Sequence, residues 1–482
     1  MIVIRPRGLL LVLIVSLCVG CTFGPAAAES PAEGVAAFDR GDYEAAVAFL
    51  SEAAKATPED AGLLAWLGSA QYRSGDYEEA SVSLTKAVAL DPTLAQAHYN
   101  LGSVYVALGK PTSAIASYQE AVFLEPYSPT GHYSLGTVYL ANDQHGFAVG
   151  ELSVAVELDP GRAAAHHNLG LALEGGGRLS EAVAAYREAV ALAPDEEAFR
   201  RSLAKGLQAS GEREEALQHL SLLRAGGSRS PDVHLYLGLI QYQGGEYEKA
   251  MEAFREAVAL DPEKATAHYY LGMSARKLGL RAEAKRGFAR AAAIAPGLAE
   301  AHMSLGMLAF EEGNAAAAAE SFAGALQADP ESYAAAFNLG LAYAGLGRER
   351  EAVRLLATLA ERDPSDVGVR QALASSYYQL GLYDDAKREY EAVLALSPDD
   401  VDAYINLGLI LDTFGQLEEA ADTYRRALAI DERSAAAHNN LGVIYERQGK
   451  TVEAVAEYRA ALSADPEMAD ARRNLDRLTA TE

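Results

Sequence analysis

A proline recurs every thirty-four residues along this chain, at Pro58, Pro92, Pro126, Pro160, Pro194, Pro262, Pro296, Pro330, Pro364, Pro398 and Pro466. The two repeats that lack it carry Ser228 and Glu432 in the same slot. A fixed period of this length means units that stack because none buries its own apolar face alone. The architecture is thereby tightly constrained, while the function is not.

One unit, Ala61 to Leu94, shows the internal logic. Leu64, Leu67, Gly68 and Ala70 stand at helical spacing, Ser74-Gly75-Asp76 interrupts them, and Ala80, Leu84, Ala87 and Leu90 resume the spacing before Asp91-Pro92. Glycine suits a helix end that needs positive φ, and proline removes an interior N–H and restrains the residue before it. The spacing therefore predicts helix–turn–helix. Units begin at Ala61, Ala95, Pro129, Ala163, Glu197, Pro231, Ala265, Ala299, Tyr333, Val367, Val401 and Ala435, after an earlier one from Ala27 to Asp60, with no net insertion or deletion through Met468. Alanine fills the twentieth place of every unit, from Ala46 and Ala80 to Ala420 and Ala454. A small side chain there lets the two helices of a unit approach closely; a larger one costs about 1–3 kcal/mol in overpacking.

Leu-Gly at places seven and eight, Gly at fifteen, Ala at twenty and Pro at thirty-two resemble the tetratricopeptide repeat family. The resemblance implies an all-α, right-handed superhelical solenoid of about thirteen helix–turn–helix repeats, closed by a C-terminal capping helix. The expected layout is a leader with a short linker at 1–28, a continuous array at 29–468 and a cap at 469–482. Two departures stand out. Gly226-Gly227 is expected to stop a second helix early and loosen the stack at 224–231, and Asn142-Asp143-Gln144-His145 replaces the usual glycine turn.

The leader is read separately. Arg5 and Arg7 precede the apolar run Leu9 to Val19, too short for a comfortable membrane span. Two cleavage sites compete: Ala26-Ala27-Ala28 before Glu29 suits signal peptidase, and Gly20-Cys21 resembles the end of a bacterial lipobox, with lipid on Cys21. Where that pattern usually has leucine three places before the cysteine, this chain has Cys18. An exported, periplasmic or membrane-tethered location is the expectation. No cysteine follows Cys21, so a disulfide in the array is impossible. The net charge of −26 argues against nucleic acid as a partner, since both would be polyanions.

Candidate chemistry is sparse. His98, His132, His166, His234, His268, His302 and His438 share the fourth place of their units. On successive units roughly 10 Å apart they cannot share a metal whose Zn–N distances are near 2 Å. Asp91, Asp159, Asp261, Asp329, Asp431 and Asp465 recur at a helix end, which marks them as structural. Gly175-Gly176-Gly177 lacks phosphate-loop spacing. No catalytic residue, metal or cofactor is expected.

In the resembled family, places two, five, nine, twelve and thirteen line a concave groove. Tyr99, Tyr133, Tyr269, Phe337 and Tyr378 occupy such places here. Aromatic rings offer large contact area at low entropy cost. Part of the family holds extended peptides with asparagines at place six, which here are Asn100, Asn168, Asn338, Asn406 and Asn440. An amide offers a donor and an acceptor to a peptide backbone. The expectation is a non-enzymatic scaffold for proteins or extended peptides in the bacterial cell envelope. The alternative is a non-catalytic binding subunit of a polysaccharide or glycan machine, and self-association through the terminal repeats stays open.

Overall fold

The computed structural model describes residues 29–479. Twenty-seven α-helices run through them, with no strand among the described residues. They are α1 (Glu29–Asp39), α2 (Tyr43–Ala56), α3 (Ala61–Ser74), α4 (Tyr77–Leu90), α5 (Ala95–Ala107), α6 (Pro111–Leu124), α7 (Pro129–Ala141), α8 (His145–Leu158) and α9 (Ala163–Gly175). Next come α10 (Leu179–Leu192), α11 (Glu197–Ser210), α12 (Arg213–Ala225), α13 (Pro231–Gln243), α14 (Tyr247–Leu260), α15 (Ala265–Lys277), α16 (Arg281–Ile294), α17 (Ala299–Glu311) and α18 (Ala315–Ala328). The last are α19 (Tyr333–Gly345), α20 (Glu349–Arg362), α21 (Val367–Gln379), α22 (Tyr383–Leu396), α23 (Val401–Thr413), α24 (Leu417–Ile430), α25 (Ala435–Arg447), α26 (Thr451–Ala464) and α27 (Ala469–Thr479). Odd helices are the first, and even helices the second, of each pair.

The chain divides into two compact units, Met1–Ile240 and Gln241–Glu482, with the boundary inside α13. Each is a solenoid of stacked helix pairs. In the first unit α3 adjoins α5 and α7 adjoins α9; in the second α19 adjoins α21, α23 adjoins α25 and α25 adjoins α27. First helices thus share one face within each unit.

Local chemistry explains the repeat. The alanine at place twenty is fully buried in all thirteen units, as its size predicts. Place eight faces place twenty-four of the same pair. A Cβ on Gly68 would lie 2.5 Å from Leu84, one on Gly170 2.4 Å from Tyr186 and one on Gly306 2.6 Å from Phe322. Close backbone approach at this crossing is what makes room for the large buried side chain opposite.

The helix ends follow the same economy. Asp60, Ser128, Ser332, Asp366, Asp400 and Ser434 each accept a hydrogen bond from the N–H three residues on, capping a first helix. Aspartates at the end of second helices turn the chain. Asp91 accepts from the Thr93 N–H at 2.9 Å, and Asp261, Asp329, Asp431 and Asp465 repeat the bond. The Asp91 carboxyl is held below its ordinary pKa by the Thr93 hydroxyl first and the Thr93 N–H second. These acids are turn formers.

Both departures have a local outcome. Asp143 takes the glycine's place between α7 and α8 with φ +57°, a left-handed conformation that aspartate tolerates better than most residues. Helix α12 has 13 residues where α10 has 14, ending ahead of Gly226-Gly227. Ser228, in the proline slot, donates to Glu197 Oε1 at 2.9 Å and accepts from the Ser230 N–H. The bond to Glu197 ties the altered loop back to the start of α11.

Candidate functional site

Six of the seven fourth-place histidines share one task. Nε2 of His98, His166 and His268 donates to the carbonyls of Pro92, Pro160 and Pro262, each at 3.0 Å. These carbonyls belong to the loop that enters the same unit. Arg200, Arg370 and Arg472 stand at place four in other units and donate to Pro194, Pro364 and Pro466. Histidine and arginine are interchangeable here because the position needs a donor, not an imidazole. His132 and His438 also place Nδ1 against Glu151 (2.7 Å) and Glu457 (2.6 Å), and Arg370 makes the equivalent bond to Glu389. His302 differs: its ring turns onto Gly324, where a Cβ would lie 2.5 Å from Nδ1. No group of three metal-ligating side chains assembles among the described residues.

Places five and six hold the groove candidates, and they bond to each other across repeats. The Tyr99 hydroxyl pairs with Ser134 Oγ at 3.1 Å, His167 Nε2 with Ser202 Oγ at 2.9 Å, and Asn474 donates to Asn439 at 3.2 Å. Tyr133 accepts from Asn168 at 3.3 Å. Each bond joins place five of one first helix to place six of the next. Burial drives the Tyr99 hydroxyl above its ordinary pKa, against the lowering effect of Ser134.

The asparagines at place six therefore divide into two groups. Asn100 and Asn168 are 8% and 4% exposed. Asn100 donates to Ser69 at 2.7 Å, and Asn168 donates to Thr137 as well as to Tyr133. Their amides hold neighbouring repeats together. Asn338 and Asn406 are half-buried. Asn338 donates back to the Ala334 carbonyl of its own helix, and the Asn406 side chain makes no hydrogen bond among the described residues. Asn440 accepts from Asn439 at 3.2 Å. What decides the group is the preceding repeat. Asn168 is preceded by Tyr133 and Thr137 at places five and nine, Asn338 by Met303 and Met307, and Asn440 by Ile405 and Leu409. Ahead of Asn406, Gln371 spends its amide on Asp400. That signal lies in the sequence and is found by reading places five and nine of one unit against place six of the next.

The rings divide similarly. Tyr269 packs edge-on against Tyr270 at 5.2 Å, and burial raises its hydroxyl pKa against the lowering effect of Ser304. Phe337 packs on the core of α20 and α21. Tyr378 lies 5.4 Å from Tyr383, beside the core that α22 and α23 share. All three are half-buried. Arg162 covers the Tyr133 ring, its Cζ 4.0 Å from the centroid.

Charges on the first-helix face are mostly cancelled between repeats. Lys205 donates to Glu174 at 2.6 Å, and Tyr186 donates to the other oxygen of the same carboxylate at 2.7 Å. Arg477, Glu446 and Tyr458 repeat this triad at the C-terminal end, where Arg477 is the chief cause of the lowered Glu446 pKa. Arg447 pairs with Asp412, and Arg276 with Glu311. Between these pairs, α19 and α21 carry no charged side chain at places two, five, six, nine, twelve or thirteen. Those places hold Ala334, Phe337, Asn338, Leu341, Ala344 and Gly345 on α19, and Gly368, Gln371, Ala372, Ser375, Tyr378 and Gln379 on α21. The lipidation candidate Cys21 lies outside the described residues.

Comparison with known proteins agrees with this architecture. Models described as tetratricopeptide repeat match residues 133–197, 269–333 and 372–435, residues 309–377 and residues 435–468. A TPR repeat model matches residues 70–109, 102–143 and 238–279. The chain belongs to the tetratricopeptide repeat family. It is a repeat scaffold of the kind that binds proteins or peptides. Similar solved structures include a tetratricopeptide repeat protein from Parabacteroides merdae, 20% identical over 52% of this chain and 98% of that one, with a TM-score of 0.37. A structure of MamA is 31% identical over 33% of this chain and 93% of that one, with a TM-score of 0.32. A thermophilic TPR protein of Thermus thermophilus is 23% identical over 38% of this chain and 99% of that one, also at 0.32. At these TM-scores the likenesses carry no argument about shape or partner. No curated protein matches the chain.

Proposed function

We propose that this chain gathers protein partners in the bacterial cell envelope by holding an extended peptide segment on α19, α21 and α23. One observation carries the reading: in a chain of net charge −26, the first-helix positions of α19 and α21 hold only apolar and uncharged polar side chains. A neutral face with rings and amides suits a peptide backbone, because aromatic area supplies affinity and amides satisfy the backbone groups that binding desolvates. Asn338 and Asn406 supply those amides, and Phe337 and Tyr378 the rings. The basic, apolar leader and Cys21 support export and a lipid tether.

Crosslinking from native envelope fractions tests the site. Partners captured by the wild-type chain are expected to be lost from an Asn406→Ala, Tyr378→Ala double variant. Retention of every partner by that variant refutes it. Binding of defined glycans in place of peptides moves the chain to the glycan-machine reading. Intact mass separates a lipidated Cys21 from a Glu29 start.

A further inference from the structure

A cleft of about 230 Å³ opens in the first unit where α5, the end of α6 and the start of α7 meet. Its walls include Gln96, Tyr99, Glu125, Ser128 and Gly131. The repeat register says what this space is for, because every wall residue has a counterpart thirty-four positions on. Tyr99 corresponds to Tyr133, Glu125 to Asp159, Ser128 to Arg162 and Gly131 to Ala165.

In that next repeat the space is filled from within. The Arg162 guanidinium stands 4.0 Å from the Tyr133 ring centroid, and Ala165 is fully buried. In the cleft, serine replaces the arginine and glycine replaces the alanine. A Cβ on Gly131 would meet Val122 at 3.2 Å and Ser128 at 3.4 Å, so it is the exchange of arginine for serine that leaves the space open. An aromatic ring and a carboxylate remain, and the Glu125 carboxylate pairs with no cation among the described residues. Tyr127, which precedes Ser128, is 84% exposed.

We infer that this cleft binds the guanidinium of an arginine side chain supplied by a partner peptide, in the position that Arg162 occupies one repeat further on. The ring face attracts the cation, Glu125 neutralises it, and a planar guanidinium is more weakly hydrated than an ammonium, so it loses less on entering. Tyr127, next to Ser128 in the chain, offers exposed apolar surface for the residues beside the arginine. The site lies in the first unit, while the face on α19 to α23 lies in the second, so either is lost without the other.

Ligand-observed NMR titration of the full chain tests it, with acetyl-Ala-Arg-Ala-amide, its uncharged citrulline counterpart and acetyl-arginine amide as probes. The arginine peptide is expected to bind at least about tenfold more tightly than the citrulline peptide, the scale of a charge-assisted bond. Ser128→Arg supplies the internal guanidinium and is expected to block the cleft, as Arg162 shows the fold accepts that residue there. Glu125→Gln, on an exposed position, is expected to weaken binding about tenfold while leaving the circular dichroism spectrum unchanged. Tighter binding of the peptide than of acetyl-arginine amide assigns the ligand to a protein, and equal binding assigns it to a free guanidinium compound; both support the cleft. Equal binding of the arginine and citrulline peptides, no binding of any probe, or undiminished binding in both variants overturns it.

Discussion

His167 makes the first unit sensitive to acid, by an amount that follows from its surroundings. It stands at place five of α9, 4.6 Å from the Phe199 ring and 5.8 Å from the Tyr186 ring, with Nε2 on Ser202. Burial disfavours the imidazolium and brings the pKa down from 6.5 to about 4, although Asn168 and Glu174 pull the other way. In the unfolded chain the ring takes its proton first as pH falls. The stability that His167 contributes is therefore complete above about pH 6.5 and is lost progressively towards pH 4. Between pH 7 and pH 5 the two titrations differ by about 2 kcal/mol. Many carboxylates also titrate towards that range, so the effect must be read as a difference. His167→Phe keeps a ring between Phe199 and Tyr186, gives up the Ser202 bond at a cost of about 1 kcal/mol at every pH, and cannot titrate. Hydrogen exchange of peptides covering α9 to α11, corrected for intrinsic rates, reports local opening without assuming that the whole array unfolds as one. Protection in the wild type is expected to fall from pH 7 to pH 5 by about 2 kcal/mol more than in the variant. A gap between the two that is the same at both pH values refutes the buried neutral imidazole.

Two substitutions probe the repeat itself. Asp366→Ala removes the cap on the Val369 N–H and the partner of the Tyr333 hydroxyl, and is expected to cost about 1–2 kcal/mol, seen as faster exchange in the first turn of α21; unchanged exchange there counts against the cap. Gly408→Ala puts a Cβ about 2.5 Å from Tyr424, an overpacking cost of about 1–3 kcal/mol that the gain of about 1 kcal/mol in helix propensity partly offsets. Ala374 beside the buried Tyr390 shows that a tyrosine at place twenty-four can make room for a methyl group, so the expected net loss is about 1 kcal/mol and Gly408→Val is much worse. Thermal melting compares the two, and a valine variant as stable as the parent refutes the close approach of α23 and α24.

The helix pairs were legible in the sequence because each is specified within thirty-four residues. Ala at place twenty, Gly at place eight and fifteen, and Asp-Pro at the close all act on their own pair or turn. The size of a residue and its permitted φ are intrinsic to it, so no tertiary information is needed to read them. Asp143 shows the same economy, taking a left-handed turn where glycine usually stands.

What tertiary structure decided is which side chains the stack consumes. Taken one unit at a time, Tyr99, Asn100 and Asn168 look like Phe337, Asn338 and Asn406, since they share places five and six, and only the neighbouring unit tells them apart. The stack ties the first three to Ser134, Ser69 and Thr137 and leaves the amide of Asn406 without such a bond. The role of the fourth-place histidines was equally hidden, because their partners are backbone carbonyls six residues back, which no residue type at place four announces. A hydrogen bond needs two groups at one distance and angle, and residues thirty-one to thirty-five positions apart meet only after the helices between them have packed. The sequence by itself determined the repeating unit; the packing of one unit on the next determined which of its polar groups and rings remain for a partner.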